Sequence, residues 1–580
     1  MMDQENNFFA DKRTALAMLL CLIVVMVYSE YMFAPYNRPA TTPQDAASVV
    51  NQSGAAQQIN ASQSTPGVAN SVESGVVAAQ PRVGSPSVVE LNQSAKIKIE
   101  NEKILASFVS LGGRIQSLKL KGYTKTKGGD ELYEMISVEE GRPLPLGVYA
   151  GPVNDNFVDY KVQSVFGGLQ KEDVYKAVGG DVVLTLVGKL SNGTGITKTV
   201  TIKPDSYLFD VAVKLDGETA DGSRLKLEWS YFEANLSKLS SYDFHGMERL
   251  SAGSVTKTPF ASFVDGSEVP GSDSWIMLGD KYFMSTLIPV VSGQNTNASR
   301  IGSTFSVKAS GETNRGEFKI FVGPKEFYTL KAIGYDLQKA IDLGVFSVLA
   351  HPLLDLIRFF HRMLGNWGLA IILLTLMIKT AFLPLTKKSF ESMAAMQVVQ
   401  PKIKALREKY QADPNKLNAE LIALYKREGI NPMGGCLPML IQLPVFLGLY
   451  NALLNSIELR HAPFALWIND LSAPESLNLF GFGIPVMVIL MGISMFVQQW
   501  TMPSTMDPMQ KKIMMFMPII FTFFFIGFPA GLVLYWLVNN VVSIVQQAFI
   551  RKERFIGATR ATLLAGVSIF GLSYVLVLFS

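Results

Sequence analysis

One lysine, Lys379, stands in an otherwise apolar stretch, GLAIILLTLMIKTAFLPL. Counted from Asn366 at 1.5 Å per residue, it lies roughly 20 Å along a helix, well inside a bilayer-spanning segment. A charge at that depth is costly and normally faces a bundle interior or a water-filled cavity. The other reading is a lysine that snorkels to the headgroups beside Lys387. Apart from Glu30 near the end of 14–33, no acidic residue occurs in the other apolar segments to pair with it. A cation next to Thr375 and Thr380 therefore suits attraction of an anionic group. Gln442, Asn451, Asn455, Gln498, Thr522, Asn539, Asn540, Ser543 and Gln546 supply further polar groups in apolar surroundings. They read either as helix-to-helix hydrogen bonds or, together with Lys379, as the lining of a hydrated groove.

Other chemistries find little support. Two cysteines, Cys21 and Cys436, and four histidines offer neither a disulfide framework nor a metal cluster. No GxxxxGK[ST] loop is present, and no nucleophile motif, so neither a cofactor nor an enzymatic activity is expected. Net charge is +4, from 52 basic and 48 acidic residues, which argues against DNA binding.

The elements that would position Lys379 are membrane helices. Hydrophobic residues make up 48% of the 580 and charged residues only 17%. Mean hydropathy is +0.24, the average expected of a polar domain joined to apolar spans. Residues 14–33 are apolar for long enough to cross a bilayer, after Lys12 and Arg13, and read as an uncleaved anchor rather than a signal peptide. Five more apolar segments fall at about 366–386, 434–457, 484–500, 513–528 and 531–549. The basic residues of 387–430, 501–512 and 550–560 place those loops in the cytoplasm, whereas 458–483 offers only Arg460. Six spans with both of their ends inside satisfy this distribution.

Between the anchor and the core, 35–88 is rich in Ala, Gln, Ser and Gly and reads as a flexible periplasmic tether. Residues 89–345 alternate apolar and polar in AKIKIE, RIQSLKLKGY, DVVLTLVG and KTVTIKPDSYLFDVAVKL, with turns between, and predict a large β-sandwich. Residues 346–364 are amphipathic, either a helix in the membrane interface or an extension of the next span, with Gly365-Asn366 favouring a break. The core is 365–556. Within it, 387–430 repeats Met396, Val399, Ile403, Leu406, Tyr410 and then Leu417, Leu421, Leu424 at helical spacing, predicting two short helices in a hairpin. Asp413-Pro414 is the expected start of the second. Its basic residues, Lys402, Lys404, Arg407, Lys409, Lys426 and Arg427, are either merely solvated or meet a partner.

These residues together resemble the YidC-type membrane protein insertases of Gram-negative bacteria. The blocks that carry the resemblance are GNWGLAIILLTLMIKTAFLPLTKKSFESMAAM, QPKIKALREKY, INPMGGCLPMLIQLPVFLGLY, ELRHAPFALWINDLS, DPMQKKIMMFMPIIFTFFF and FPAGLVLYWLVNN. The resemblance implies an inner-membrane protein with six core transmembrane helices, a large all-β periplasmic supersandwich and a cytoplasmic helical hairpin. It implies insertion of newly made membrane proteins through a hydrophilic groove, alone or with the Sec translocon, without nucleotide hydrolysis. Lys379 matches the position of the groove's positive residue, where the family usually has arginine. Substrate-contacting positions would fall on Thr375, Gln442, Phe446, Met491, Phe524, Tyr535 and Trp536. The hairpin would meet substrates, targeting factors and the ribosome, and the spans would meet lipid. One feature departs from the family's basic tail: in 557–580, the stretch ATLLAGVSIFGLSYVLVLFS is apolar enough for a further span. A secondary transporter with an intramembrane lysine is the alternative, but no internal repeat pairs the spans.

Overall fold

The computed structural model describes residues 85–136, 142–171, 173–219, 221–233, 244–291, 294–430, 437–479, 481–501, 508–552, 566 and 568–577. The expected anchor at 1–34, the tether up to 84 and much of 557–580 lie outside these residues. Two compact units divide the chain, a β unit whose strands end at Pro324 and a helical unit from Lys325 onward.

In the β unit, the first element is a short helix, α1 (Val88–Gln93), reaching into the stretch expected as tether. Its Ser87 hydroxyl accepts from the Glu90 amide while Glu90 reaches back to the Ser87 amide, a reciprocal cap that stabilises even six residues. The largest sheet has nine antiparallel strands. From edge to edge they are Ser254–Pro259, Gly246–Ser251, Trp275–Gly279, Phe283–Pro289, Arg315–Pro324, Leu208–Leu215, Gly195–Ile202, Val182–Lys189 and Lys161–Phe166. Burial alternates along Gly195–Ile202, where Ile196, Lys198, Val200 and Ile202 point inward. A six-stranded sheet built around Leu225–Phe232 and Thr304–Ser310 packs against it, with Phe209 and Trp229 rings 6.3 Å apart across the layers. A further six-stranded sheet includes Lys96–Glu100, Ile104–Val109 and Arg114–Thr124.

Lys198 is an exception to the apolar rule on the inner face. Its Nζ donates to Asp155 Oδ2 at 2.8 Å and to the Leu146 and Gly112 carbonyls at 2.7 and 2.9 Å. Arg114 reaches the other Asp155 oxygen at 2.8 Å. Burial pulls the Lys198 ammonium down to about 8, against the opposing pull of Asp155. Charges this deep persist because each is paired and hydrogen-bonded.

The helical unit comprises α2 (Phe327–Ile333), α3 (Ser347–Leu364), α4 (Trp367–Ala381), α5 (Leu383–Lys409), α6 (Pro414–Arg427), α7 (Leu437–Asn455), α8 (Val486–Thr501), α9 (Pro508–Phe525), α10 (Ala530–Lys552) and α11 (Ser568–Val577). Residues 325–345, grouped with the sandwich by sequence, are helix and turn here. Gly365 ends α3 in the left-handed region at φ 67°, and Asn366 then caps α4 by accepting from the Leu369 amide at 3.0 Å. α4 and α5 meet at a 60° bend about Phe382, with Pro384 in the first turn of α5, where its missing N–H costs nothing. The first helix of the expected pair is thus long rather than short: 27 residues, running back to the end of α4. α6 starts where expected, Asp413 accepting from the Lys416 amide at 3.0 Å. Met396, Val399, Ile403 and Leu424 form a small core between the two.

Ala530–Ile550 is long and apolar enough to cross a membrane, and α4 with α5 passes the same test as a bent pair. Ile441–Asn455, Val486–Thr501, Lys512–Phe525 and Ser568–Val577 are shorter apolar helices. In α11, Ile569, Phe570, Leu576 and Val577 pack against the helical core, so the apolar tail segment has a seat on the unit.

Candidate functional site

Lys379 occupies the last turn of α4 and is 7% exposed. The helix turns its side chain towards α10, where Nζ donates to Ser543 Oγ at 2.8 Å. Ser543 donates its own hydrogen to the Asn539 carbonyl at 2.7 Å, and Asn539 Oδ1 accepts from Gln442 Nε2 at 3.0 Å. Gln546 Nε2 donates to the Lys379 carbonyl at 3.3 Å, leaving its Oε1 buried without a partner. Residues 539, 543 and 546 share one stripe of α10 because four and three residues make one turn each. A single polar line therefore links α4, α7 and α10. A second line ties α10 to α8, from Asn540 to Ser494 Oγ at 3.1 Å and from Thr501 to Gln547 at 3.0 Å.

The threonines flanking Lys379 are not its partners. Thr375 donates to the Ile371 carbonyl at 2.7 Å and Thr380 to the Leu376 carbonyl at 2.8 Å. A helical threonine reaches the carbonyl one turn back more readily than a neighbour's side chain. Among the described residues no carboxylate lies within ion-pair distance of Lys379. The ammonium is thus held by one neutral hydroxyl, a partner that leaves most of its charge available to an anion.

An aromatic wall begins one turn away on both partner helices. Phe446 follows Gln442 by four residues, and Tyr535 precedes Asn539 by four, so α7 and α10 run antiparallel here. Phe446 meets Trp536 edge-on at 4.6 Å and lies 6.1 Å from Tyr535. Phe525 is 5.1 Å from Trp536, and Phe528 stacks on Phe525 at 4.7 Å.

The expected substrate positions divide by exposure. Thr375, Met491 and Tyr535 are buried at 1%, 0% and 2%, whereas Phe524 is 54% exposed and Gln442, Phe446 and Trp536 are half-buried. Met491 and Met487 are core residues, packed with α4 and α10. Asn455 leaves the polar line altogether, donating to the Asp342 carbonyl at 2.8 Å. Ser543, the residue that holds Lys379, is only one among many polar candidates by sequence. The spacing 539, 543, 546 is the signal that singles it out.

The six basic residues expected to meet a partner, Lys402, Lys404, Arg407, Lys409, Lys426 and Arg427, are all exposed. Lys402 has an internal partner, Glu428, at 2.7 Å, and Arg427 lies 4.0 Å from the same carboxylate. The Lys402 contact holds the Glu428 carboxyl below its usual range. Lys404, Arg407, Lys409 and Lys426 extend the basic surface, with Lys388 and Lys416 also exposed. No group of three or more potential metal ligands occurs among the described residues.

Two family models match the chain, and they meet inside α3 rather than at Pro324. A family model described as the 60Kd inner membrane protein matches residues 359–556, and one described as the YidC periplasmic domain matches 96–356. A protein of Pelobacter propionicus named membrane protein insertase YidC is 35% identical over 93% of this chain and 99% of its own length. Namesakes from Geotalea daltonii and Syntrophus aciditrophicus are also 35% identical, over 94% of this chain and 99% and 100% of theirs. Among solved structures, an active YidC insertase with its first transmembrane domain resolved aligns over 79% of this chain and 93% of that one, at 19% identity and a TM-score of 0.34.

Proposed function

Because the chain belongs to the YidC family of membrane protein insertases, we propose that it passes newly made membrane proteins from the cytoplasm into the inner membrane along the face formed by α4, α7 and α10. The observation that carries this reading is the buried Lys379 ammonium, held by one neutral hydroxyl at the end of an aromatic wall. Polar stretches of an incoming chain need a path of lower cost than hydrocarbon, and acidic groups gain from a nearby cation. The substrate's own apolar span then partitions into lipid, so no nucleotide is consumed. Phe446, Phe524 and Trp536 offer that span a surface to slide on, with Gln442 half-buried beside them and Thr375, Met491 and Tyr535 buried behind.

In this reading 14–33 is the first of six spans, and α4, α7, α8, α9 and α10 are the others. The β unit faces the periplasm, α3 lies in the interface, and α5 with α6 stands in the cytoplasm. The exposed Lys404, Arg407, Lys409 and Lys426, with Lys402 and Arg427 beside Glu428, meet ribosome and targeting factors there. Cooperation with the Sec translocon belongs to the same reading. Photo-crosslinkers at Gln442 and Phe524, against one at Ile301 in the β unit, test it with a stalled nascent membrane protein. Adducts at the first two positions and none at the third are expected; equal labelling at all three would overturn the path.

A further inference from the structure

We propose that the connection between α7 and α8, residues 456–485, is the seal of the membrane unit and that the Glu475 carboxylate holds it shut. The inference rests on the membrane reading above. Connecting segments usually run over a surface, because their backbone needs water. This one instead buries Leu459, Ala462, Phe464, Ala465, Ile468 and Leu471 at 8% exposure or less, in the same core as α4, α8 and α10.

Three helix starts converge on it, and each start carries backbone N–H groups with no intrahelical acceptor. At α4, the Asn366 side chain that caps the helix also donates through Nδ2 to the Phe464 carbonyl at 2.9 Å. For α10, the Ala530 and Gly531 amides donate to the Ala473 and Leu471 carbonyls, both at 2.8 Å. For α8, the Met487 and Val488 amides donate to Glu475 Oε1 at 2.6 and 3.3 Å. The other Glu475 oxygen accepts from Trp467 Nε1 at 2.7 Å. One carboxylate, 6% exposed, thus fastens the middle of the connection to the start of α8, where the helix dipole favours negative charge.

Two further contacts press the connection down. Arg358 of α3 donates through Nε to Glu458 at 2.8 Å. The Phe464 ring lies so close over Gly368 in the first turn of α4 that any side chain there would collide with it. The starts of α4, α8 and α10 are the end of the unit opposite the α4–α5 bend. Were the connection loose there, water and ions would enter between them. Glu475 touches no substrate and is a positioning residue.

The full-length protein in liposomes tests the proposal, with Glu475→Gln, Trp467→Phe and Gly368→Ala. Three quantities are read: decay of an imposed ion gradient, hydrogen exchange of amides 459–471, and insertion of a membrane-protein substrate. Glutamine still accepts from the α8 amides but carries no charge and opposes Trp467 with its own N–H groups. Its exchange at 459–471 should rise about tenfold or more, the loss expected for a hydrogen bond to an ionised group. The gradient should decay faster than in the parent while the unit stays folded at the assay temperature. Trp467→Phe and Gly368→Ala should leak in the same direction without a change of charge, and they carry the test if Glu475→Gln fails to fold. Faster exchange without leak, or leak without faster exchange, overturns the seal. Failure of the parent itself to insert would overturn the membrane reading instead, while the exchange arm still judges the clamp.

Discussion

Charge reversal at Lys379 is the sharpest probe of the site. The ammonium is 7% exposed, 2.8 Å from the Ser543 hydroxyl, with no carboxylate at ion-pair distance among the described residues. An acidic group of a substrate brought to 4 Å would gain about 4 kcal/mol at an effective dielectric of about 20. Glutamate at the same place turns that gain into a repulsion of similar size, and water entering with the substrate reduces both. If only about 1.4 kcal/mol survives at the rate-limiting step, insertion slows roughly tenfold. Lys379→Glu should therefore slow a substrate with an acidic translocated tail by tenfold or more, and leave its neutralised twin within about twofold on the same scale. Lys379→Arg should retain insertion of both, since the charge persists, though the guanidinium fork fits a single hydroxyl less well. The assay is pulse-labelled insertion of the paired substrates in cells depleted of their own insertase, with variant levels matched. Equal rates for the two substrates in a well-accumulated Lys379→Glu protein, or normal growth of those cells, would refute the reasoning.

Ser543→Ala removes the hydroxyl that holds the Lys379 ammonium and should cost about 1.5–3 kcal/mol of stability, read by thermal unfolding in detergent; Ser543→Thr should recover most of it. In the β unit, Asp155→Asn leaves Lys198 and Arg114 buried without their shared carboxylate and should cost about 3–5 kcal/mol. The check is the unfolding transition of the strands in the full chain, and an unchanged transition would contradict the pairing. Gly492 of α8 faces the Thr522 side chain of α9 with no room for a Cβ. Gly492→Val should overpack that contact by about 1–3 kcal/mol, seen as faster proteolysis between α8 and α9.

Local patterns in the amino-acid sequence are enough for many elements and some of their ends, though not for residues 325–345 or the length of α5. Period-two alternation marks Gly195–Ile202 and Leu208–Leu215 as strands because one sheet face is buried and the other is not. Asn366 and Asp413 cap α4 and α6 because a short side chain reaches an amide only three residues on. Likewise Lys379 stands out from its neighbours in the chain, because the cost of a charge depends on its immediate apolar surroundings. Its partner does not, since 164 residues separate it from Ser543 and only the packing of α4 against α10 brings them to 2.8 Å. The nearer threonines are the reasonable guess, but their own helix carbonyls take them.

The order of strands in the nine-stranded sheet is equally hidden, since Leu208–Leu215 pairs with Arg315–Pro324 across a hundred residues of other structure. So is the part played by Glu475, which reads in the chain as an ordinary loop acid. Sequence by itself determined the type of most segments and several of their ends, because those depend on neighbours within a turn or a strand. Tertiary structure alone decided which buried polar atoms meet, because hydrogen bonds act over about 3 Å and only packing brings distant residues that close.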